Sequence, residues 1–386
     1  YKVWDYLRKN TDRRHPTSIA KMRKDENINA YIGDKETINR LLKDMANIMN
    51  LEDGGSDYKP EAEWRLYFDD FKKFYGDKER YERDDSDEDD SYIANVMRIK
   101  NLYYNRTFSE KEVDSIIEGI MATRTLDSKS AQELVRKVED NMTTAFYKRT
   151  PRHICKGQEP ELADRELLKD NLAIIQKAID DNVRIQFRFN GYSYEKKLEP
   201  VRAEMDELSP YYIVASGGKY YLLAAKEYEG YKPNMSIWRI DLMTDIEIPG
   251  RNDRLHIKGI PRIPKKNVSN LPEKWSEDFQ LKHLNMSFDK PVFVTLRIKS
   301  EKCEDNPKKR VRPGYTFLHD WFGDSFTYIR TETKPPYDDI VRVECSPYGM
   351  AHWALQYSEL VEVLEPESLR EDIKSKIKAL NEKYSL

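Results

Sequence analysis

Three cysteines in 386 residues, Cys155, Cys303 and Cys345, form no CxxC pair and are odd in number. That excludes a disulfide framework and a thiolate metal site; the three read as packing residues of a protein kept in a reducing compartment. Long apolar runs are absent too. None approaches the roughly 18 residues that cross a bilayer, and the opening YKVWDYLRKN has no apolar stretch of the signal-peptide kind. A cytoplasmic location without membrane contact is therefore expected. The chain also lacks a GxxxxGK[ST] or GxGxxG phosphate loop, an HExxH pair and a GxSxG elbow, and its six histidines are scattered. No catalytic, metal or cofactor site is expected, and the run Asp320 to Asp324 around Gly323 reads as a turn.

What is present is charge, unevenly spread. Charged residues make up 35% of the chain and the net charge is only -3, yet residues 1 to 50 hold eleven Lys or Arg against seven Asp or Glu. Residues 77 to 90, DKERYERDDSDEDD, hold nine acids and three bases, a density that keeps a segment solvated as a loop. The length itself predicts two or three domains.

The order of elements follows from start signals and from the hydrophobic period. Ser18 opens a short helix to about Lys24, and Asp34 caps a second from Lys35 to Met49. In that second helix Ile38, Leu41, Leu42, Met45, Ile48 and Met49 are expected to be buried, leaving Lys35, Glu36, Thr37, Asn39, Arg40 and Lys43 outside. Such a face suits a major groove: Arg40 can pair with a guanine edge, Asn39 with adenine, and Lys35, Thr37 and Lys43 can hold phosphates. Any amphipathic helix has a polar face, so the position in a basic N-terminal segment is what favours DNA. After a short β-rich run near Tyr103, Ser109 and then Asp127 or Ser128 start two further helices. The polar segment TPRHICKGQEPELAD reads as a linker to a helix carrying Leu168, Leu172, Ile175 and Ile179 at helical spacing.

From Val183 the period becomes two, in VRIQFRF, SPYYIVA, KYYLLAA and SIWRIDL, with Gly217 and Gly218 in a tight hairpin turn. This is a small antiparallel barrel or sheet. Beyond a Pro- and charge-rich connection, strands and helices alternate to the end of the chain, an α+β pattern with helices on one face of a sheet.

The stretch from KKLEPVRAEMDELSPYYIVASGGKYYLLAAKEY to SIWRIDL resembles the WYL domain of bacterial transcription regulators, through Tyr220, Tyr221 and Leu222, Pro200, Ser209 to Tyr212, and the RxD pair Arg239 and Asp241. Tyr220 stands where that family has Trp, and Leu242 where a second arginine is common. Flanking segments resemble the rest of such regulators. The resemblance implies a multidomain α+β chain: a winged helix-turn-helix over 1–105 with a long acidic wing loop, a helical linker over 106–165, an Sm-like or SH3-like barrel sensor over 166–250, a connector over 251–290 and a ferredoxin-like extension over 291–386 that forms a homodimer. It also implies a nucleotide or nucleic-acid effector. Arg188, Lys197, Arg202 and Arg239 with Tyr211, Tyr220 and Tyr221 are the residues expected to bind it, cations for phosphate and rings for stacking. Aromatic residues in strands also serve simple packing, and Arg239 has the alternative of a structural ion pair with Asp241. Two functions fit: a ligand-responsive regulator that binds double-stranded DNA, and an accessory or defence protein whose barrel binds single strands.

Overall fold

Polar caps set where the N-terminal helices begin. In the computed structural model, which describes residues 1–52, 57–69, 71, 99–149, 156, 165–300, 302–303, 306–310 and 314–384, the chain divides into two units, Tyr1–Glu161 and Leu162–Leu386. The first opens with α1 (Lys2–Asn10), α2 (Ile19–Met22), α3 (Glu26–Asn29) and α4 (Lys35–Asn50). The side chains of Ser18, Asp25 and Asp34 each accept a hydrogen bond from a backbone N–H of the turn they precede, which satisfies donors that the helix itself leaves open. The extra helix α3 occupies what the sequence suggested was a long connection.

Helix α4 buries a face shifted from the one expected: Ile38 and Leu42 lie in the core with Met45 and Met49 packed against it, as expected, but burial extends to polar residues on one side. Ile38, Asn39, Leu42, Lys43, Ala46 and Asn50 are buried, whereas Leu41 and Ile48 stay 46% and 72% exposed. The physical cause lies at the end of the helix. Asn50 donates through Nδ2 to the Leu66 carbonyl at 2.9 Å, and its Oδ1 accepts from the Arg65 and Leu66 N–H groups at 2.8 and 3.3 Å. This buried amide completes the backbone hydrogen bonding of β1 (Leu66–Tyr67), which pairs antiparallel with β2 (Tyr103–Tyr104), and so fixes the rotation of α4. Leu7, Met22, Ile38, Leu42, Trp64, Phe68 and Phe71 form the core beneath. The acidic stretch 77–90 lies outside the described residues.

A helical hairpin follows. Helix α5 (Glu110–Ala122) starts with a complete capping box between Ser109 and Glu112, and α6 (Ser128–Met142) starts on Asp127. Val113, Ile117, Val135 and Val138 seal the two together. The Tyr147 hydroxyl donates to Asp114 at 2.5 Å, which with burial raises the phenol well above its usual pKa. Most of the expected linker, including Cys155, lies outside the described residues.

The second unit begins with α7 (Arg165–Asp181), whose Leu168, Ile175 and Ala178 pack onto a curled antiparallel sheet. Its strands are β3 (Ile185–Tyr192), β4 (Leu198–Pro200), β5 (Asp206–Ser216), β6 (Lys219–Ala225), β7 (Met235–Arg239) and β8 (Met243–Glu247). Strand β3 is the hub: its start pairs with β5, its middle with β8 and its end with β4, and that sharing forces the sheet to curl. Gly217 and Gly218 at φ 54 and 71 make the β5–β6 turn a primed hairpin turn. Buried Asn171 of α7 donates to the carbonyls of Ile240 and Met243, where β7 bends into β8.

The C-terminal part runs β9 (Val292–Ile298), a short hairpin of β10 (Lys302–Cys303) and β11 (Asn306–Arg310), α9 (Thr316–Phe322), β12 (Thr327–Thr331), β13 (Asp339–Cys345), α10 (Pro347–Gln356), β14 (Val361–Glu365) and α11 (Glu367–Tyr384); a one-turn helix, α8 (Phe279–Lys282), precedes it. The main sheet has the order β12-β13-β9-β14, all antiparallel. Alternate residues Val294, Leu296, Ile298, Val341, Val343 and Cys345 face a core closed by Leu318, Phe322, Met350 and Trp353. Burial pushes the Cys345 thiol up to about 12, so it behaves as an inert packing group. Gly323, at φ 51, turns the chain out of α9.

Replacing Asn50 by Ala removes three hydrogen bonds and strands the Leu66 carbonyl, which is expected to cost about 2 to 3 kcal/mol. Denaturant unfolding of the full chain measures this; an unchanged first transition would mean that α4 is not anchored by Asn50.

Candidate nucleic-acid interface and barrel site

Of the five residues expected to read DNA, the side chain of Lys35 lies outside the described ones, and the structure separates the other four. Thr37 and Arg40 are exposed on α4, with Glu36, Leu41 and Asp44 beside them. Asn39 and Lys43, 7% and 3% exposed, face the interior; this corrects the expectation that both lie on the outer face. The correction follows from the rotation that Asn50 imposes. Burial lowers the Lys43 pKa, as it must for an ammonium withdrawn from water. The backbone of Lys35 opens α4 one residue after the Asp34 cap, and the Asp34 carboxyl is held below its usual range by hydrogen bonds from Thr37. The exposed face that remains is a short patch at the N-terminal half of α4.

In the curled sheet of β3 to β8, each expected cation meets a carboxylate. Arg239 donates from Nε to Oδ1 of Asp241 at 3.1 Å and from Nη2 to Oδ2 at 2.5 Å. The Asp241 side chain is 1% exposed and that of Arg239 30%. Burial alone would lower the Arg239 pKa, but the hydrogen bonds and charge of Asp241 outweigh it and hold it above the usual value. Arg202 places Nε 3.2 Å from Oδ2 of the fully buried Asp206, without hydrogen-bond geometry, and its guanidinium lies 5.9 Å from the Trp238 ring centroid. Lys226 holds the other oxygen of Asp206 at 2.7 Å. Arg188 meets Asp245 at 3.3 Å and the Ala203 carbonyl at 3.0 Å, and Lys197 meets Glu195 at 2.7 Å. These cations are paired locally.

The aromatic candidates divide as well. Tyr211 is 2% exposed, donates its hydroxyl to the Ile263 carbonyl at 2.7 Å and packs under Arg262, so it belongs to the core and not to an open binding face. Tyr220 and Tyr221 are both half-buried but, as neighbours in a strand, point to opposite faces: Tyr220 packs with the Ile185–Leu222 core, Tyr221 with the separate Val214–Leu223 cluster. They cannot line one surface together. Tyr221 sits opposite Arg239 in the β6–β7 register, which makes that pair the one expected contact the fold brings together. Trp238 is held edge-on by Phe187 and Phe189, with Nε1 donating to Ser236 at 2.7 Å. Sequence reasoning passed over Arg13 and Arg14, whose signal was an arginine pair in the basic N-terminal segment.

Among the described residues, no cluster of three His, Cys, Asp or Glu is placed to hold a metal ion, and no helix is long and apolar enough to cross a membrane.

Arg239→Ala leaves a buried carboxylate without its cation, an expected loss on the order of 2 to 4 kcal/mol. Adding Asp241→Asn to that variant is expected to restore more than half of the loss in denaturant unfolding. A single variant as stable as the parent would show that Arg239 is not structural.

No curated protein matches the chain. Several solved structures are similar to it, among them the following two. Proteasome accessory factor B/C (PafBC) of Arthrobacter aurescens shares 16% identity at a TM-score of 0.22, over 75% of this chain and 40% of that one, so the chain spans about two-fifths of that relative's length. A CRISPR Cas-related protein shares 14% identity at a TM-score of 0.30, over 96% of this chain and 94% of that one. At those values neither assigns a role to any residue. The family match is more specific: residues 290–380 match the WCX domain, the C-terminal extension associated with WYL domains, which agrees with the resemblance of the preceding segment to a WYL domain.

Proposed function

We propose that the chain is a non-enzymatic, ligand-responsive DNA-binding transcription regulator. The observation that carries the proposal is the pairing of a WCX domain at residues 290–380 with an N-terminal unit whose capped helix α4 presents Thr37 and Arg40 beside the two-stranded β1–β2 ribbon. That arrangement has the parts of a winged helix-turn-helix, and Arg40 is the residue fitted to a guanine edge in a major groove. The curled sheet of β3 to β8 corresponds in this proposal to the Sm-like or SH3-like barrel. The β-α-β-β-α-β succession from β9 to β14 corresponds to a ferredoxin-like extension, through which two copies pair on a two-fold operator. A nucleotide effector would meet there cations that already hold acidic partners.

The test uses DNA fragments recovered with the protein from cells and identified by sequencing. Arg40→Ala is expected to weaken binding to such a duplex by about tenfold or more in fluorescence anisotropy, the worth of one bidentate base contact. Unchanged affinity would remove α4 from the interface, and retention of single-strand binding with no duplex binding would favour the accessory role.

A further inference from the structure

A cleft of about 760 Å³ in the N-terminal unit is walled by the loop 12–15, the segment from β2 to the first turn of α5, and residues 142–148 after α6. Five cations line it, Arg13, Arg14, Arg106, Lys111 and Lys148, against three carboxylates, Asp12, Glu110 and Glu112. Two of those acids are engaged. Asp12 accepts from the N–H groups of Arg14 and His15 at 2.7 and 2.8 Å and lies 3.0 Å from His15 Nδ1, and Glu112 closes the capping box on Ser109. Arg106 turns inward and ties the walls together, donating to the carbonyls of Thr11 and Thr143 at 3.1 and 3.2 Å. Arg13, Arg14, Lys111 and Lys148 are exposed and have no carboxylate partner among the described residues.

Rings stand beside these charges. His15 stacks on Phe146 with centroids 3.9 Å apart and planes 17° apart, yet Phe146 remains 44% exposed and Phe108 40%. Unpaired cations next to open aromatic faces match the two halves of a nucleotide, because guanidinium and ammonium groups take phosphate oxygens while a ring face takes a base. The volume lies within the roughly 300 to 1,000 Å³ of small-molecule clefts, and a concave site suits a small ligand better than the convex side of a duplex. The contrast with the barrel is direct, since the cations expected to bind a ligand there already have acidic partners.

We propose that this cleft binds a mono- or dinucleotide, with Arg13, Arg14 and Lys148 on its phosphates and the open face of Phe108 or Phe146 against a base. The site is distinct from α4 and needs neither operator binding nor a dimer, so it stands or falls separately from the regulator function. Calorimetric titration of the full chain with 5′-phosphorylated thymidine dinucleotide tests it, with inorganic phosphate as the second titrant. The dinucleotide is expected to bind at least tenfold more tightly than phosphate. Joint Arg14→Ala and Lys148→Ala substitution is expected to weaken it at least tenfold at unchanged thermal midpoint, and Phe146→Ala to weaken it severalfold. The barrel variant Arg188→Ala should leave it within twofold. No dinucleotide binding, equal binding of phosphate, cleft variants that bind as the parent does, or loss in Arg188→Ala alone would each overturn the proposal.

Discussion

A carboxylate taken out of water must keep a cation beside it, and in this protein that requirement decides which positive charges remain available to a ligand. Asp206, which opens β5, and Asp241, in the turn between β7 and β8, are buried, and Lys226, Arg202 and Arg239 are drawn onto them. The pairs at Arg188 and Lys197 are more exposed and add little stability, but they neutralise the barrel surface in the same way. Arg202, Lys226 and Arg239 are therefore part of how the curled sheet folds. In the N-terminal unit two of the three acids of the cleft are occupied in a turn and a cap, and arginine and lysine side chains stay open to solvent.

The same unit shows how one buried amide orients a helix face. Asn50 meets the backbone of β1 at the far end of α4, and the helix can satisfy those hydrogen bonds in one rotation only. That rotation turns Thr37 and Arg40 outward and carries Asn39 and Lys43 in. Helix and ribbon are thus joined before any partner is present, which is the preorganisation that groove binding favours.

Much of the architecture was legible in the residues. Asp34, Ser109 and Asp127 marked helix starts because their side chains satisfy open N–H groups, and Gly217 with Gly218 marked a hairpin because other residues resist positive φ. The candidate sites were less legible. Hydropathy put Ile38, Leu42, Met45 and Met49 of α4 towards the core correctly but shifted the edges of the buried face, since the buried Asn39, Lys43 and Asn50 are polar and the exposed Leu41 and Ile48 are not. In the barrel, the alternation along β6 already placed Tyr220 and Tyr221 on opposite faces, but only the packing showed which core each joins. Which acid neutralises which cation depends on strand register, as with Arg188 and Asp245 across β3 and β8. The cleft gathers residues about 130 positions apart in sequence, and no local pattern announces it.

The central claim, that unpaired positive charge for nucleic acid resides in the N-terminal unit, is tested most directly by photo-cross-linking. A short single strand carrying 4-thiothymidine is irradiated with the full chain, and the modified peptides are mapped by mass spectrometry. Cross-links concentrated in residues 12–15 and 104–148 would agree with the charge distribution described here. Cross-links confined to residues 185–247 of the barrel would contradict it.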